Sequence, residues 1–186
     1  LKKNQNPKLN LFSDLKSIEF ASTLKFLEKP NYGSLPTTIE ITNFANPSLY
    51  LKNKLMELDI QDIKNFNGYL AIGRELPNKF HYLKSSDGFN VYFETSFLSS
   101  SDLKALITSD SGQSDLSVNK LIFKIQKLEL HKNNFFNLNG LINFNNSEIN
   151  GRVSGNNLNG TFRKDASGFL RIELKDSHID NISLLD

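Results

Sequence analysis

The sequence predicts an all-β protein, mainly a twisted antiparallel meander sheet that forms a groove and carries one or two short helices. Short runs in which apolar and polar residues alternate are interrupted every eight to twelve residues or so by Asn and Gly. The pattern is clearest in residues 138–174, where Leu170, Ile172 and Leu174 share one phase. Because successive side chains of a strand point to opposite faces, such a sheet has one apolar and one polar face.

The first part of the chain shows the same alternation in several short runs. Two short strands are predicted within residues 9–28, followed by strands at 37–43, 48–52 and 55–60. Asn67-Gly68 predicts a tight turn that introduces the apolar residues from Tyr69 onward. From Gly88 the residues Phe89, Val91 and Phe93 again alternate with polar ones, which predicts a one-sided strand.

A helix is predicted near residues 100–107. Serine residues precede it and can cap its N-terminus, Asp102 lies in its first turn, and Leu103, Leu106 and Ile107 follow at helical spacing. The polar residues after it predict a linker at 109–117. We therefore expect a first β section at 1–108 and a second β-meander section at 118–186, both parts of one elongated β-groove.

The second section begins with a change of phase. Leu121, Phe123 and Ile125 share one phase, whereas Leu128 and Leu130 lie in the opposite phase. A phase change inside a strand predicts a bulge or a turn near Gln126-Lys127.

Length, charge and cysteine content exclude some classes of protein. The 186 residues suffice for a hydrophobic core, and no window approaches the roughly 20 apolar residues of a membrane-spanning helix. The net charge of +2 comes from scattered, nearly balanced charges, so we expect no nucleic-acid partner. The sequence has no cysteine, which excludes disulfides and thiolate metal sites. Cysteine content does not indicate in which cellular compartment the protein works. The start of the chain, without Met or an apolar signal region, predicts a section of a longer protein.

Catalytic or metal-binding clusters are not evident in the sequence. His81, His131 and His178 lie far apart, and none has a metal-binding spacing. Asp59 and Asp62 are interpreted as turn and solvent-facing residues. A Gly-x-Ser-x-Gly nucleophile motif is missing. We predict a protein that is not an enzyme and that folds without a metal or other cofactor.

The apolar strand faces have two interpretations that periodicity alone does not separate. They could pack against a second sheet or a helix as a closed core. Alternatively, part of the apolar surface lines an open groove occupied by acyl chains. Burial by lipid and burial by protein stabilise the sheet on the same scale, about 25 cal/mol per Å².

The order of elements resembles the YhdP branch of the AsmA-like proteins. The resemblance begins with Gly68-Tyr-Leu-Ala-Ile-Gly-Arg-Glu-Leu-Pro77 and continues through a Gly-led strand and a short helix at residues 88–106. Downstream it includes strands such as Lys120-Leu-Ile-Phe-Lys-Ile and Leu158-Asn-Gly-Thr-Phe-Arg-Lys. It departs from the family where the second-section strand usually carries Trp and this chain has Phe or Asn.

The resemblance implies a section of a periplasmic protein that is anchored to the inner membrane by a segment not in this chain. Such a protein carries phospholipid toward the outer membrane along an apolar β-groove, with acyl chains as partners and membrane contact through other parts; the resemblance identifies no protein partner. The candidate groove residues are Phe89, Val91, Phe93, Leu121, Phe123, Ile125, Leu170, Ile172 and Leu174. The alternative is a non-catalytic structural or adhesive β-module that recognises partners through Asn-rich loops.

Overall fold

The structure is a computed structural model, and it describes residues 7–16, 33–73, 76, 80, 83, 84, 88–102, 118–130, 133–145, 148–175 and 177. In these residues the fold is an eleven-stranded sheet that is not closed, and strands follow one another in chain order. The predicted all-β fold is therefore confirmed. The strands are β1 Lys8–Ser13, β2 Thr37–Thr42, β3 Ser48–Lys52, β4 Met56–Asp62, β5 Asn67–Ile72, β6 Phe89–Ser99, β7 Val118–Leu130, β8 Asn133–Asn145, β9 Glu148–Ser154, β10 Asn159–Lys164 and β11 Leu170–Lys175.

Two series of strands form the predicted meander. From β1 to β5, and again from β7 to β11, each strand pairs antiparallel with the next. The sheet as a whole is mixed. The backbone N–H of Gly68 donates to the carbonyl of Gly88 at 3.1 Å, so β5 and β6 begin side by side, as parallel neighbours do.

The chain divides into two compact units within β6. The first unit holds β1 to β5 and the start of β6 through Tyr92, and the second holds the rest of β6 from Phe93, β7 from Asn119, and β8 to β11. Each unit is described separately below. Residues 17–32 and 103–117 are not among the described residues. The second strand predicted within residues 9–28 and the linker predicted at 109–117 therefore lie outside the described part of the chain.

The predicted helix begins at Ser100, directly after β6. The carboxylate of Asp102 accepts a hydrogen bond from the backbone N–H of Ser99 at 3.0 Å. The hydroxyl oxygen of Ser99 accepts one from the N–H of Asp102 at 3.2 Å. This reciprocal pair is a capping box, with Asp in place of the usual Glu, so the predicted capping by serine is confirmed. The rest of the predicted helix, from residue 103, lies outside the described part of the chain.

The tight turn predicted at Asn67-Gly68 was placed too late in the chain. Both residues already belong to β5, and the turn is formed by residues 63–66. Its signal is Asp62, whose carboxylate accepts the N–H of Lys64 at 2.9 Å. Gly68 instead allows close approach of two strands, because a Cβ there would lie 1.9 Å from the carbonyl oxygen of Asp59 on the adjacent strand.

The residue pairing of β7 does not show the inserted residue that the phase change predicted. Ile125 pairs with Leu138 and Lys127 pairs with Phe136, so the register is the same on both sides and no residue is inserted. The pair between them is missing from the ladder, and Asn137 has φ +53°. The irregularity near Gln126 is thus a single left-handed residue in the partner strand, a conformation that Asn tolerates better than most side chains.

Candidate functional site

Apolar side chains form two rows across the first unit. The cross-strand register places the first row at Leu9, Ile41, Leu49 and Ile60, and the second at Leu11, Ile39, Leu51, Leu58 and Leu70. We call this surface the β1–β5 apolar face. Only Ile60 is buried among these residues; the others are half-buried or exposed. The described residues therefore form an apolar surface that is partly exposed to solvent.

The buried core of the first unit lies on the opposite side of the sheet. The ring of Phe80 lies 6.0 Å from that of Tyr69 and 5.2 Å from that of Tyr92, measured between centroids. The amide of Asn90 donates to the carbonyl of Leu83 at 2.8 Å, which ties the segment after β5 onto this side. Among the described residues, the buried core thus lies on this covered side, whereas most side chains of the β1–β5 apolar face are half-buried.

A buried carboxylate on the covered side is held by two partners. Glu57 is 5% exposed, and its Oε1 accepts a hydrogen bond from the Tyr69 hydroxyl at 2.6 Å. Its Oε2 lies 2.8 Å from the ammonium of Lys52, an ion pair without a well-aligned hydrogen bond. Burial, and then the bond to Glu57, raises the pKa of Tyr69, and the same carboxylate raises the pKa of Lys52. Because these groups satisfy one another inside the fold, we interpret them as structural.

A second apolar surface extends across the second unit, and we call it the β7–β11 apolar face. Three rows cross it: Phe123, Gly140, Val153, Gly160 and Leu174; Leu121, Ile142, Gly151, Phe162 and Ile172; and Phe144, Ile149, Lys164 and Leu170. Lys164 is the one charged residue in these rows.

Glycines in these rows make room for aromatic rings. A Cβ on Gly140 would lie 1.9 Å from the ring of Phe123, and one on Gly151 would lie 2.5 Å from the ring of Phe162. Each ring therefore lies across the glycine of the neighbouring strand. The aromatic side chains pack onto their own sheet rather than projecting away from it.

The structure brings most of the predicted groove residues together. Leu121, Phe123, Leu170, Ile172 and Leu174 share the β7–β11 apolar face, and the last three are 53%, 55% and 46% exposed. Ile125 has the same phase on β7 but is buried.

The three candidates on β6 are divided between the units. Phe89 and Val91 belong to the first unit and Phe93 to the second. Phe89 is only 3% exposed, so Phe89, like Ile125, contributes to the core rather than to an open surface.

A depression in the second unit lies on the polar face, where the sequence predicted no site. Its volume is about 590 Å³, and Arg152, Arg163, Arg171, Asn150 and Thr161 contribute to its lining. Periodicity separated the two faces correctly.

Metal-binding clusters are absent from the described ranges. No group of three or more His, Cys, Asp or Glu side chains is placed to hold a metal ion there, and no helix in those ranges is long and apolar enough to cross a membrane. Asp59 pairs with Lys84 at 3.0 Å, and Asp62 holds its turn. His81, His131 and His178 lie outside the described residues.

Comparison with family models, with curated proteins and with solved structures gave no match to this chain. The resemblance to the AsmA-like proteins therefore stays a prediction.

Proposed function

We propose that this chain is a section of a phospholipid-carrying protein, in which the two apolar faces hold acyl chains. The observation that carries the proposal is the position of the buried core. In the first unit Tyr69, Phe80 and Tyr92 pack on the covered side, while the β1–β5 apolar face stays half-exposed. Contiguous exposed apolar surface of this kind marks an interaction site.

The chemistry of the β7–β11 apolar face suits hydrocarbon. Its rows contain aliphatic and aromatic side chains with glycines between them, and Lys164 lies in the outermost row. Covering such a surface with acyl chains contributes about 25 cal/mol for each Å² removed from water. Hydrocarbon forms no directional hydrogen bonds, so rows of Leu, Ile and Phe are sufficient to bind it.

The wider setting of the proposal comes from the resemblance to the AsmA-like proteins. In that setting the chain is periplasmic, a segment outside it provides the anchor in the inner membrane, and phospholipid moves toward the outer membrane. The chain has no catalytic role and needs no cofactor.

The alternative, a structural or adhesive module with recognition in its loops, is less well supported. Asn157 accepts a hydrogen bond from the N–H of Phe136 at 3.3 Å and donates one to the carbonyl of Asn134 at 2.8 Å. This Asn side chain therefore ties its loop to β8 and is occupied within the fold.

The test places a charge on the apolar face. Ile172→Asp lies on β11 at a position that is 55% exposed, so the carboxylate stays hydrated and the chain should fold. Native mass spectrometry of the purified chain should show copurified phospholipid for the wild type and a clear loss for Ile172→Asp. Ser154→Asp adds the same charge at an exposed position on the polar face of β9 and should retain the lipid.

Circular dichroism and thermal melting establish that both variants are folded. If folded Ile172→Asp and Ser154→Asp retain phospholipid equally, the apolar face is not the binding surface. If the wild type binds no lipid and associates through this face, the structural alternative is the better description.

A further inference from the structure

The depression on the polar face of the second unit collects three arginines from three adjacent strands. Arg152 lies on β9, Arg163 on β10 and Arg171 on β11. Arg163 and Arg171 are direct cross-strand partners, and Arg152 is the partner of Thr161, two residues from Arg163. Side chains as long as arginine reach one another across such direct and diagonal positions.

Like charges placed directly opposite each other destabilise a sheet, so this arrangement needs compensation. Two carboxylates supply part of it. Glu148 accepts from one terminal nitrogen of Arg163 at 3.0 and 3.2 Å, and Arg171 Nε lies 3.1 Å from Glu173. Arg152 makes no ion pair with any of the residues that the structure describes. Three guanidinium groups are thus matched by two carboxylates.

The remaining groups in the depression add hydrogen-bond donors. The hydroxyl of Thr161 lies between Arg152 and Glu173 in the cross-strand register. Asn150 accepts from Asn143 at 3.1 Å, which leaves its own amide NH₂ as a donor. Guanidinium, hydroxyl and amide donors around an excess positive charge form a site for an oxyanion, because Arg binds phosphate through paired N–H donors.

We propose that this depression binds a phosphate ester, with Arg152 as its principal ligand. The volume of about 590 Å³ falls within the roughly 300–1,000 Å³ of small-molecule sites, so the phosphate has room for the group that carries it. The ester is either a soluble metabolite or a lipid headgroup presented at a membrane surface. The proposal is independent of acyl-chain binding, which uses the opposite face.

The test uses two variants that remove the same charge from opposite faces. Arg152→Gln acts in the depression, and Lys164→Gln acts at an exposed position of the apolar face of β10. Inorganic phosphate and glycerol phosphate are titrated into each protein, and amide chemical shifts are followed by NMR. We expect saturable binding by the wild type, about tenfold or more weaker for Arg152→Gln, and within about twofold of wild type for Lys164→Gln.

Binding to vesicles of phosphatidylcholine, with and without phosphatidylglycerol, distinguishes a lipid headgroup from a soluble metabolite as the source of the ester. Binding to the anionic vesicles that Arg152→Gln weakens assigns the site to a headgroup, whereas binding of glycerol phosphate alone assigns it to a soluble ester. Absence of saturable binding, or equal weakening by Arg152→Gln and Lys164→Gln, overturns the proposal. Loss of acyl-chain binding by Ile172→Asp leaves these outcomes unchanged, so the two proposals fail separately.

Discussion

Gly140 and Phe123 are cross-strand partners, and the position of the Phe123 ring requires a residue without a side chain at 140. The ring of Phe123 occupies the position where a side chain at 140 would begin. We expect Gly140→Ala to force the ring off its site and to lower the free energy of unfolding by about 1–3 kcal/mol. Urea denaturation of the purified chain measures the change.

Two further variants show whether the ring is responsible. Phe123→Ala removes the obstacle, so the double variant should lose less stability than the sum of the two single variants. Asn139→Ala is the matched control, at an exposed neighbouring position on the polar face. A strictly additive double variant would show that the strain arises elsewhere in β8.

Tyr69 stabilises the fold through its hydroxyl as well as its ring. The hydroxyl donates to the buried carboxylate of Glu57 at 2.6 Å, and both residues are at most 5% exposed. Tyr69→Phe leaves a buried carboxylate with one partner fewer, so we expect a loss of about 1–3 kcal/mol in urea denaturation.

Replacing both partners tests the cause of that loss. In Glu57→Leu combined with Tyr69→Phe, Lys52 can turn to solvent because its side chain is already 46% exposed. The double variant should recover part of the stability lost in Tyr69→Phe. If it is less stable than Tyr69→Phe, the hydroxyl–carboxylate bond is not the source of the effect.

At the scale of elements, Asp165 determines the turn between β10 and β11. Its carboxylate accepts the backbone N–H groups of Ser167 at 2.9 Å and Phe169 at 3.1 Å, and Gly168 follows with φ +87°. The hydroxyl of Ser167 and these amides lower the pKa of Asp165. The turn therefore depends on an ionised carboxylate.

The sign of the pH dependence follows from that lowered pKa. A carboxylate of lowered pKa contributes its stabilisation above its unfolded pKa, about 3.9, and loses it as the pH falls through the folded value. We expect the amide signals of Ser167 and Phe169 to move toward disordered positions only in that acidic range, as followed by NMR titration. Asp165→Asn should show no such step there, and an unchanged step in this variant would assign the titration to another group.

The two apolar faces show how strongly a strand register is specified. A shift of one residue in β9 would move Ile149 and Val153 to the polar face and bring Arg152 among the apolar rows. Alternation in the sequence therefore predicts which residues share a face once the strands exist. It also explains why five of the nine predicted groove residues, on β7 and β11, share one open surface.

At the scale of the whole molecule, each unit has one face of apolar rows, and the opposite face holds an aromatic core in the first unit and mainly polar side chains in the second. In each unit the ladders keep the apolar rows on one face. In the second unit the arginine-lined depression lies on the other face. Lipid binding and phosphate binding are thus proposals about opposite surfaces of the same strands.

The sequence alone determined the all-β class, most strand positions from β1 to β4, the start of the helix and the separation of apolar from polar residues in β9 to β11. These properties depend on side-chain alternation and on local capping, both of which involve residues that are close together in the sequence. Tertiary structure decided the rest. The burial of Phe89 and Ile125, the parallel start of β5 and β6, and the position of the depression depend on contacts between residues far apart in the chain, and no local pattern records them.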